Sequence, residues 1–163
     1  MKLAVTDANI FIDLHYVQLT VHLFSIGLSI YTTQEVFDEL NDDQQATLRQ
    51  WDKSGLFVLY KFEATEHEEL ESFTISKKLS FNDHTVIYLA EKLQSIVLTG
   101  DNKLKQTCLK RNIDAHGLFW ILDTFLEKEL ITKETAKEKL IKLMNFNKWL
   151  PIAECNKRLT DWS

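Results

Sequence analysis

Hydrophobic residues follow two alternating patterns along this chain. Short continuous apolar runs are typical of buried strands, whereas apolar residues that recur three and four positions apart are typical of helices. The short runs predict strands at residues 3–6, 29–32, 56–60, 95–99 and 113–116. Between them, the helical spacing predicts helices at residues 9–14, 16–26, 34–40, 42–54, 65–79, 84–93 and 103–111.

The alternation of strands and helices predicts the fold class. Strands that alternate with helices form a parallel sheet with crossover helices on its faces. We therefore predict an α/β fold with three layers, α/β/α, around a central parallel sheet of four to five strands. The later pattern is helical only and predicts helices at 118–130, at 133–145 and after Pro151. We interpret residues 1–163 as one domain, with a core of about 1–130 and a helical tail of about 131–163.

Polar residues at the predicted helix starts act as N-caps, because their side chains accept hydrogen bonds from free backbone N–H groups. The pattern places Asp7, Thr33, Asp83, Asp101 and Thr132 at such positions. Each of the three aspartates, taken alone, is explained by capping.

Composition and charge narrow the functional classes. A chain of 163 residues with 45% hydrophobic residues can bury the core of one domain. No apolar run is long enough to span a membrane, and the first residues lack the features of a signal peptide. Cys108 and Cys155 form no metal-binding spacing and are predicted to be reduced thiols, which favours a cytoplasmic location.

The net charge of −5 disfavours a protein that binds nucleic acid only through a basic surface. That objection weakens if several of the acids share bound cations. Local basic clusters are present, and they include Lys103 and Lys105 as candidate phosphate contacts, although a solvated helix face is the favoured explanation for any one such cluster.

Four acidic residues form the candidate chemistry. Asp7 and Asp101 directly follow predicted strands, Asp83 opens a helix and Glu39 lies within one. Because ligands bind beyond the carboxyl ends of parallel strands, the strand-end acids are expected to crowd into one crevice. Like charges in a crevice are unfavourable without a cation, and carboxylate oxygens without His or Cys favour Mg²⁺ or Mn²⁺.

The segments around these acids resemble the successive motifs of the PIN-domain nucleases, in the order in which that family carries them. The resemblance covers roughly residues 1–120, and the tail is similar to that of small prokaryotic, VapC-toxin-like members. The motif residues are Asp7 with Asn9 two positions on, Glu39 rather than Glu35, Asp83, and Thr99 with Asp101, in the segments DANIFIDL, EVFDEL, NDHTVIYLAEK and VLTGDNKL.

The resemblance implies a metal-dependent endoribonuclease. In that family pattern, Asp7, Glu39, Asp83 and Asp101 hold one or two Mg²⁺ or Mn²⁺ ions for two-metal-type hydrolysis of RNA, and Asn9 and Thr99 support the carboxylates. It also implies a protein antitoxin as partner, because many relatives are toxins of toxin–antitoxin pairs, and a homodimer.

Two other classes stay open from the residues. One is a PIN-like scaffold that binds RNA or protein without catalysis. The other is a phosphatase on a similar sheet, which the Asn at position 9 disfavours because such enzymes carry a second Asp there. Asp13 is expected to face away from the acidic cluster, and Trp149 and Trp162 are candidates for a partner or dimer surface.

Overall fold

A parallel five-stranded sheet forms the centre of the computed structural model, which describes residues 2–163. The spatial order of its strands is β3-β2-β1-β4-β5. All four strand pairs are parallel. The strands are Lys2–Thr6 (β1), Leu28–Thr33 (β2), Phe57–Tyr60 (β3), Ile96–Leu98 (β4) and Ala115–His116 (β5).

Helices cover both faces of the sheet and complete a three-layer α/β/α fold, as predicted. Strands β1 and β4 carry mostly apolar or small residues, and Ala4, Val5 and Val97 in them are fully buried. The helices are Ala8–Tyr16 (α1), Thr20–Leu23 (α2), Gln34–Phe37 (α3), Asp42–Arg49 (α4), Ala64–Ser72 (α5), Phe81–Leu93 (α6), Asn102–Lys110 (α7), Leu118–Glu127 (α8), Lys133–Phe146 (α9) and Ile152–Asp161 (α10).

Four predicted helices are wrong in extent, and one of them, predicted at 42–54, ends at Arg49. The helix predicted at 16–26 is reduced to α2, because α1 ends at Tyr16 and Gln18 adopts a left-handed backbone with φ of 61°. The helix predicted at 34–40 ends at Phe37, and the one predicted at 65–79 ends at Ser72. Apolar residues that follow most of these helices are buried although their backbone is not helical. Apolar residues at helical spacing therefore predict helices that are too long.

The cap of α6 also differs from the prediction. Ser80, not Asp83, is the N-cap, and its hydroxyl accepts a hydrogen bond from the Asp83 backbone N–H at 3.1 Å. The Asp83 carboxylate accepts a hydrogen bond in return from the Ser80 N–H at 3.0 Å. This reciprocal capping box fixes the Asp83 side chain in the first turn of the helix.

We expect Ser80→Ala to lower the free energy of unfolding by about 1 kcal/mol, because the Asp83 N–H loses its acceptor. Urea denaturation followed by circular dichroism measures this change. Ser72→Ala is the matched control, since the Ser72 hydroxyl bonds only the exposed Glu69 carbonyl at the end of α5. Equal midpoints for the two variants would contradict the assigned cap.

The C-terminal helices pack back onto the core. Thr132 caps α9, as predicted, and Arg158 of α10 bridges to Asp123 of α8 at 2.8 Å. Trp162 is only 8% exposed, so its prediction as a partner surface is wrong, because α10 folds its indole inward. Within residues 2–163, the structure contains no helix of the length and apolarity needed to cross a membrane.

Candidate functional site

The candidate site lies where the strand order changes direction, between β1 and β4. From β1 the chain runs outward to β2 and β3, and it then returns to place β4 and β5 on the other side. Crevices at such switch points, beyond the carboxyl ends of the strands, are the usual ligand sites of open α/β sheets. Asp7 directly follows β1, and its N–H donates to the Leu98 carbonyl at the end of β4 at 2.9 Å.

Asp7 is the most enclosed acid of the site, with 7% of its surface exposed. Its Oδ1 accepts from the Ala8 N–H at 2.9 Å. Its Oδ2 accepts from the Thr99 hydroxyl at 2.9 Å and from Asn9 Nδ2 at 3.1 Å. A buried carboxylate with three donors is held in one orientation, which suits a group that must present its charge to a ligand.

Thr99 connects Asp7 to Asp101. Its buried hydroxyl donates to Asp7 and accepts from the Asp101 N–H at 3.0 Å. Asp101 is the N-cap of α7, as predicted, and its Oδ1 accepts from the Lys103 and Leu104 N–H groups. The ends of β1 and β4 are thus joined through a single side chain, which brings two predicted site acids together.

Asn9 joins the same two segments by a second route. Its Oδ1 accepts from the Gly100 N–H at 2.7 Å while its Nδ2 donates to Asp7. A side chain on residue 100 would bring its Cβ to 3.3 Å from Asn9 Oδ1, a tight approach, so glycine suits this position. Asn9 and Thr99 therefore both contact the Asp7 carboxylate.

The environment of Asp7 raises its pKa from 3.8 to about 6. Burial is the main cause, because it disfavours the charged form, and the negative charges of Asp83 and Glu39 add to it. The hydrogen bonds from Thr99 and Ala8 act in the opposite direction. The negative charges of Asp83 and Glu39 are therefore close enough to Asp7 to raise its pKa.

Contacts between α3 and α6 place these two acids beside the sheet edge. Asn82 Nδ2 donates to the Glu35 carbonyl at 3.2 Å, and the hydroxyls of Thr33 and Thr85 lie 3.0 Å apart. Glu39 follows the end of α3 and is exposed. Glu35, the alternative to Glu39, keeps a buried Oε1 without a hydrogen-bond partner.

The four carboxylates do not form a closed ligand set. Across residues 2–163, no three His, Cys, Asp or Glu side chains are grouped so as to hold a metal ion. Asp7 and Asp101 meet at Thr99, whereas Asp83 and Glu39 act on Asp7 through their charge. The donor chemistry of this cluster, carboxylate oxygens that repel one another around a buried anion, still fits a hard divalent cation.

Other predicted residues lie around the cluster. Lys103 is exposed and Lys105 half-buried on α7, next to Asp101. Asp13 is 5% exposed and lines a hollow together with Thr99 and Gly100, so the expectation that it faces away from the cluster is not confirmed. Its Oδ2 accepts from Asn147 Nδ2 in the tail at 3.0 Å. Burial raises the pKa of Asp13 to about 6, and the bond from Asn147 partly offsets this rise.

His84 supports the segment before α6 from inside the fold. It is 7% exposed, and its Nε2 accepts from the Ile75 N–H at 3.2 Å. Nδ1 therefore carries the proton and donates to the Ser80 carbonyl at 2.8 Å. His84 stabilises the loop that precedes the Ser80 cap, and no signal in the sequence indicated this role.

The three-layer fold with acids at the β1/β4 switch point defines the class to which the chain belongs. The family model described as DUF3368: PIN domain matches residues 3–163. The chain is therefore a member of this PIN-domain family, which confirms the resemblance found in its motifs. PIN domains are generally nucleases.

Among solved structures, the chain is similar to the crystal structure of PAE2754 from Pyrobaculum aerophilum. The two share 17% sequence identity, and the match covers 76% of this chain and 96% of that chain with a TM-score of 0.47. No curated protein matches the sequence.

Proposed function

We propose that the protein is a metal-dependent endoribonuclease with its active site at the β1/β4 edge. The observation that carries the proposal is the shared Thr99 hydroxyl, which ties the buried Asp7 carboxylate to the start of α7 at Asp101. A fold of a nuclease family that carries this cluster at its switch point supports phosphodiester hydrolysis.

Asp7, Asp83, Asp101 and Glu39 are the residues that we propose to hold Mg²⁺ or Mn²⁺. Bound there, such an ion would make water a better nucleophile and would stabilise negative charge on the phosphate. Without it, the pKa of Asp7 is about 6, since burial and the charges of Asp83 and Glu39 oppose its negative form. Asn9 and Thr99 hold the ionised carboxylate in place by donating to its Oδ2.

The remaining side chains bind and orient the substrate in this proposal. Lys103 and Lys105 lie on the first turn of α7, beside Asp101. Their ammonium groups attract the RNA backbone phosphates. The α7 N-terminus adds its partial positive charge to this attraction. We also propose a protein antitoxin and a homodimer, which rest on the resemblance to small toxin members of the family alone.

Cleavage of single-stranded and structured RNA, with and without Mn²⁺ or Mg²⁺, tests the proposal. We expect cleavage only with the cation, and at least about tenfold slower cleavage for Asp101→Asn and Asp83→Asn. Asn keeps the cap, because it accepts the same backbone hydrogen bonds as Asp, so these variants should remain folded.

Asp43→Asn is the matched control, because Asp43 is an exposed acid in the first turn of α4. It should cleave at the parental rate. Cleavage without a divalent cation, or equal rates for all three variants, would refute the assigned site. RNA binding without any cleavage by the parent would instead favour the scaffold alternative.

A further inference from the structure

Trp149 is the most exposed large hydrophobic residue in the described part of the chain, at 95%. It lies in the turn between α9 and α10. Burial of a large aromatic surface away from water is energetically favourable. An exposed tryptophan gains this free energy only when a partner covers its ring.

The turn that carries Trp149 is nevertheless held firmly. The Asn147 side chain links this turn to α1, and we call this link the Asn147 bracket. Its Nδ2 donates to the buried Asp13 at 3.0 Å, and its Oδ1 accepts from the Trp149 N–H at 3.0 Å. Just before it, Phe146 stacks on Tyr16 of α1 with ring centroids 3.9 Å apart. These contacts fix the backbone of Trp149 relative to the core while its ring stays free.

Two adjoining hollows beside Trp149 measure about 340 and 520 Å³, which lies within the size range of ligand sites in proteins. Gly100, Asn102, Asn147 and Trp149 line both hollows. Lys105 lines the first, and Asp101 and Lys103 line the second. Trp149 therefore stands on the same surface as the carboxylate cluster.

The chemistry of this surface favours nucleic acid over protein. An exposed aromatic face stacks on bases of any sequence, and lysines beside it follow the phosphate backbone. The amide of Asn102 adds a donor and an acceptor for base or sugar groups. Protein interfaces, in contrast, are depleted of lysine.

We infer that Trp149 stacks on a nucleobase of single-stranded RNA next to the carboxylate site, and that Asn147 positions it. This inference rests on the proposed ribonuclease function, which supplies RNA as the substrate. Asn147 acts through Trp149 and through no direct contact with the base.

Binding of fluorescein-labelled single-stranded RNA of about 12 nucleotides, measured by anisotropy in EDTA so that no cleavage occurs, tests the inference. A second probe of the same length carries the ribose-phosphate chain without bases. We expect Trp149→Ala to weaken binding of the base-bearing RNA on the order of tenfold, and of the abasic chain hardly at all.

Trp149→Phe keeps an aromatic face and should retain most of the affinity. Asn147→Ala should narrow the difference in affinity between the two probes, a result that a merely structural role would not produce. Ile152→Ala is the matched control, because it removes another exposed apolar side chain, 69% exposed, three residues further on. It should leave both affinities unchanged.

The outcomes separate this inference from the proposed function. Equal losses on both probes, no loss for Trp149→Ala, or no RNA binding by the parent would overturn the stacking subsite. A change in oligomeric state on Trp149→Ala, seen by sedimentation without a change in RNA affinity, would assign the surface to a protein partner and also overturn it. Base-dependent binding without cation-dependent cleavage would leave the subsite standing and refute the ribonuclease proposal.

Discussion

Asp7→Asn is expected to abolish cleavage and, in the absence of divalent cations, to stabilise the fold at alkaline pH. For activity we expect a loss of at least about 100-fold, because Asp7 is the most enclosed acid of the site and the one on which Asn9 and Thr99 converge. For stability, the variant removes a charge that burial disfavours.

The sign of the stability effect follows from the pKa of Asp7, which rises from 3.8 to about 6 on folding. Between these values the folded chain keeps a proton that the unfolded chain releases, so the parent loses stability as pH rises from about 4 to about 6. The loss approaches about 3 kcal/mol above that window. Weaker hydrogen bonds in the variant offset about 1–2 kcal/mol of this.

Urea denaturation in EDTA at about pH 8 and about pH 4 measures the balance. We expect Asp7→Asn to be more stable than the parent by about 1–2 kcal/mol at the higher pH, and equal or less stable at the lower pH. Adding Mn²⁺ at the higher pH should stabilise the parent and not the variant. A variant that is less stable than the parent at both values of pH would show that the surroundings of Asp7 do not disfavour its ionised form.

Thr99→Val is expected to slow cleavage about 10- to 100-fold near neutral pH, because it removes the hydroxyl that serves both Asp7 and the Asp101 N–H. The hydrogen bond from Thr99 lowers the pKa of Asp7, so its loss raises that pKa further. Cleavage by the variant should then recover partly as pH rises, since Asp7 ionises only at higher pH.

Cleavage rates measured from about pH 6 to about pH 9 test this expectation. Thr99→Ser keeps the hydroxyl and should behave as the parent. Thr32→Val is the matched control, because Thr32 is an equally buried threonine whose hydroxyl donates to the Thr6 carbonyl at 3.2 Å. If the rates of Thr99→Val and Thr32→Val depend on pH in the same way as the parent, Thr99 does not act through Asp7.

The strands and the strand-end acids could be predicted from the sequence because their signals are local. A short apolar run followed by Asp places that Asp at the carboxyl end of a strand, and a parallel sheet gathers such ends at one edge. This reasoning placed Asp7 and Asp101 on the same edge, where Thr99 joins them. The cap at Asp101 followed from the same rule.

The errors concern contacts between residues far apart in the chain or choices among neighbouring caps. Ser80 and Asp83 are both good capping residues three positions apart, and only the folded backbone shows which one begins α6. The bond between Asp13 and Asn147 joins residues 134 positions apart, so no local pattern indicates that Asp13 is buried beneath the tail. The inward turn of Trp162 has the same cause.

The bracket at Asn147 has a consequence for how the molecule is made. Synthesis proceeds from the N-terminus, so Asp13 leaves the ribosome long before its partner 134 positions later. The carboxylate edge is complete once α7 has been translated, whereas the tryptophan beside it cannot be seated until α9 is finished. During synthesis the acidic residues of the site can therefore reach their folded positions first, and Trp149 reaches its position last.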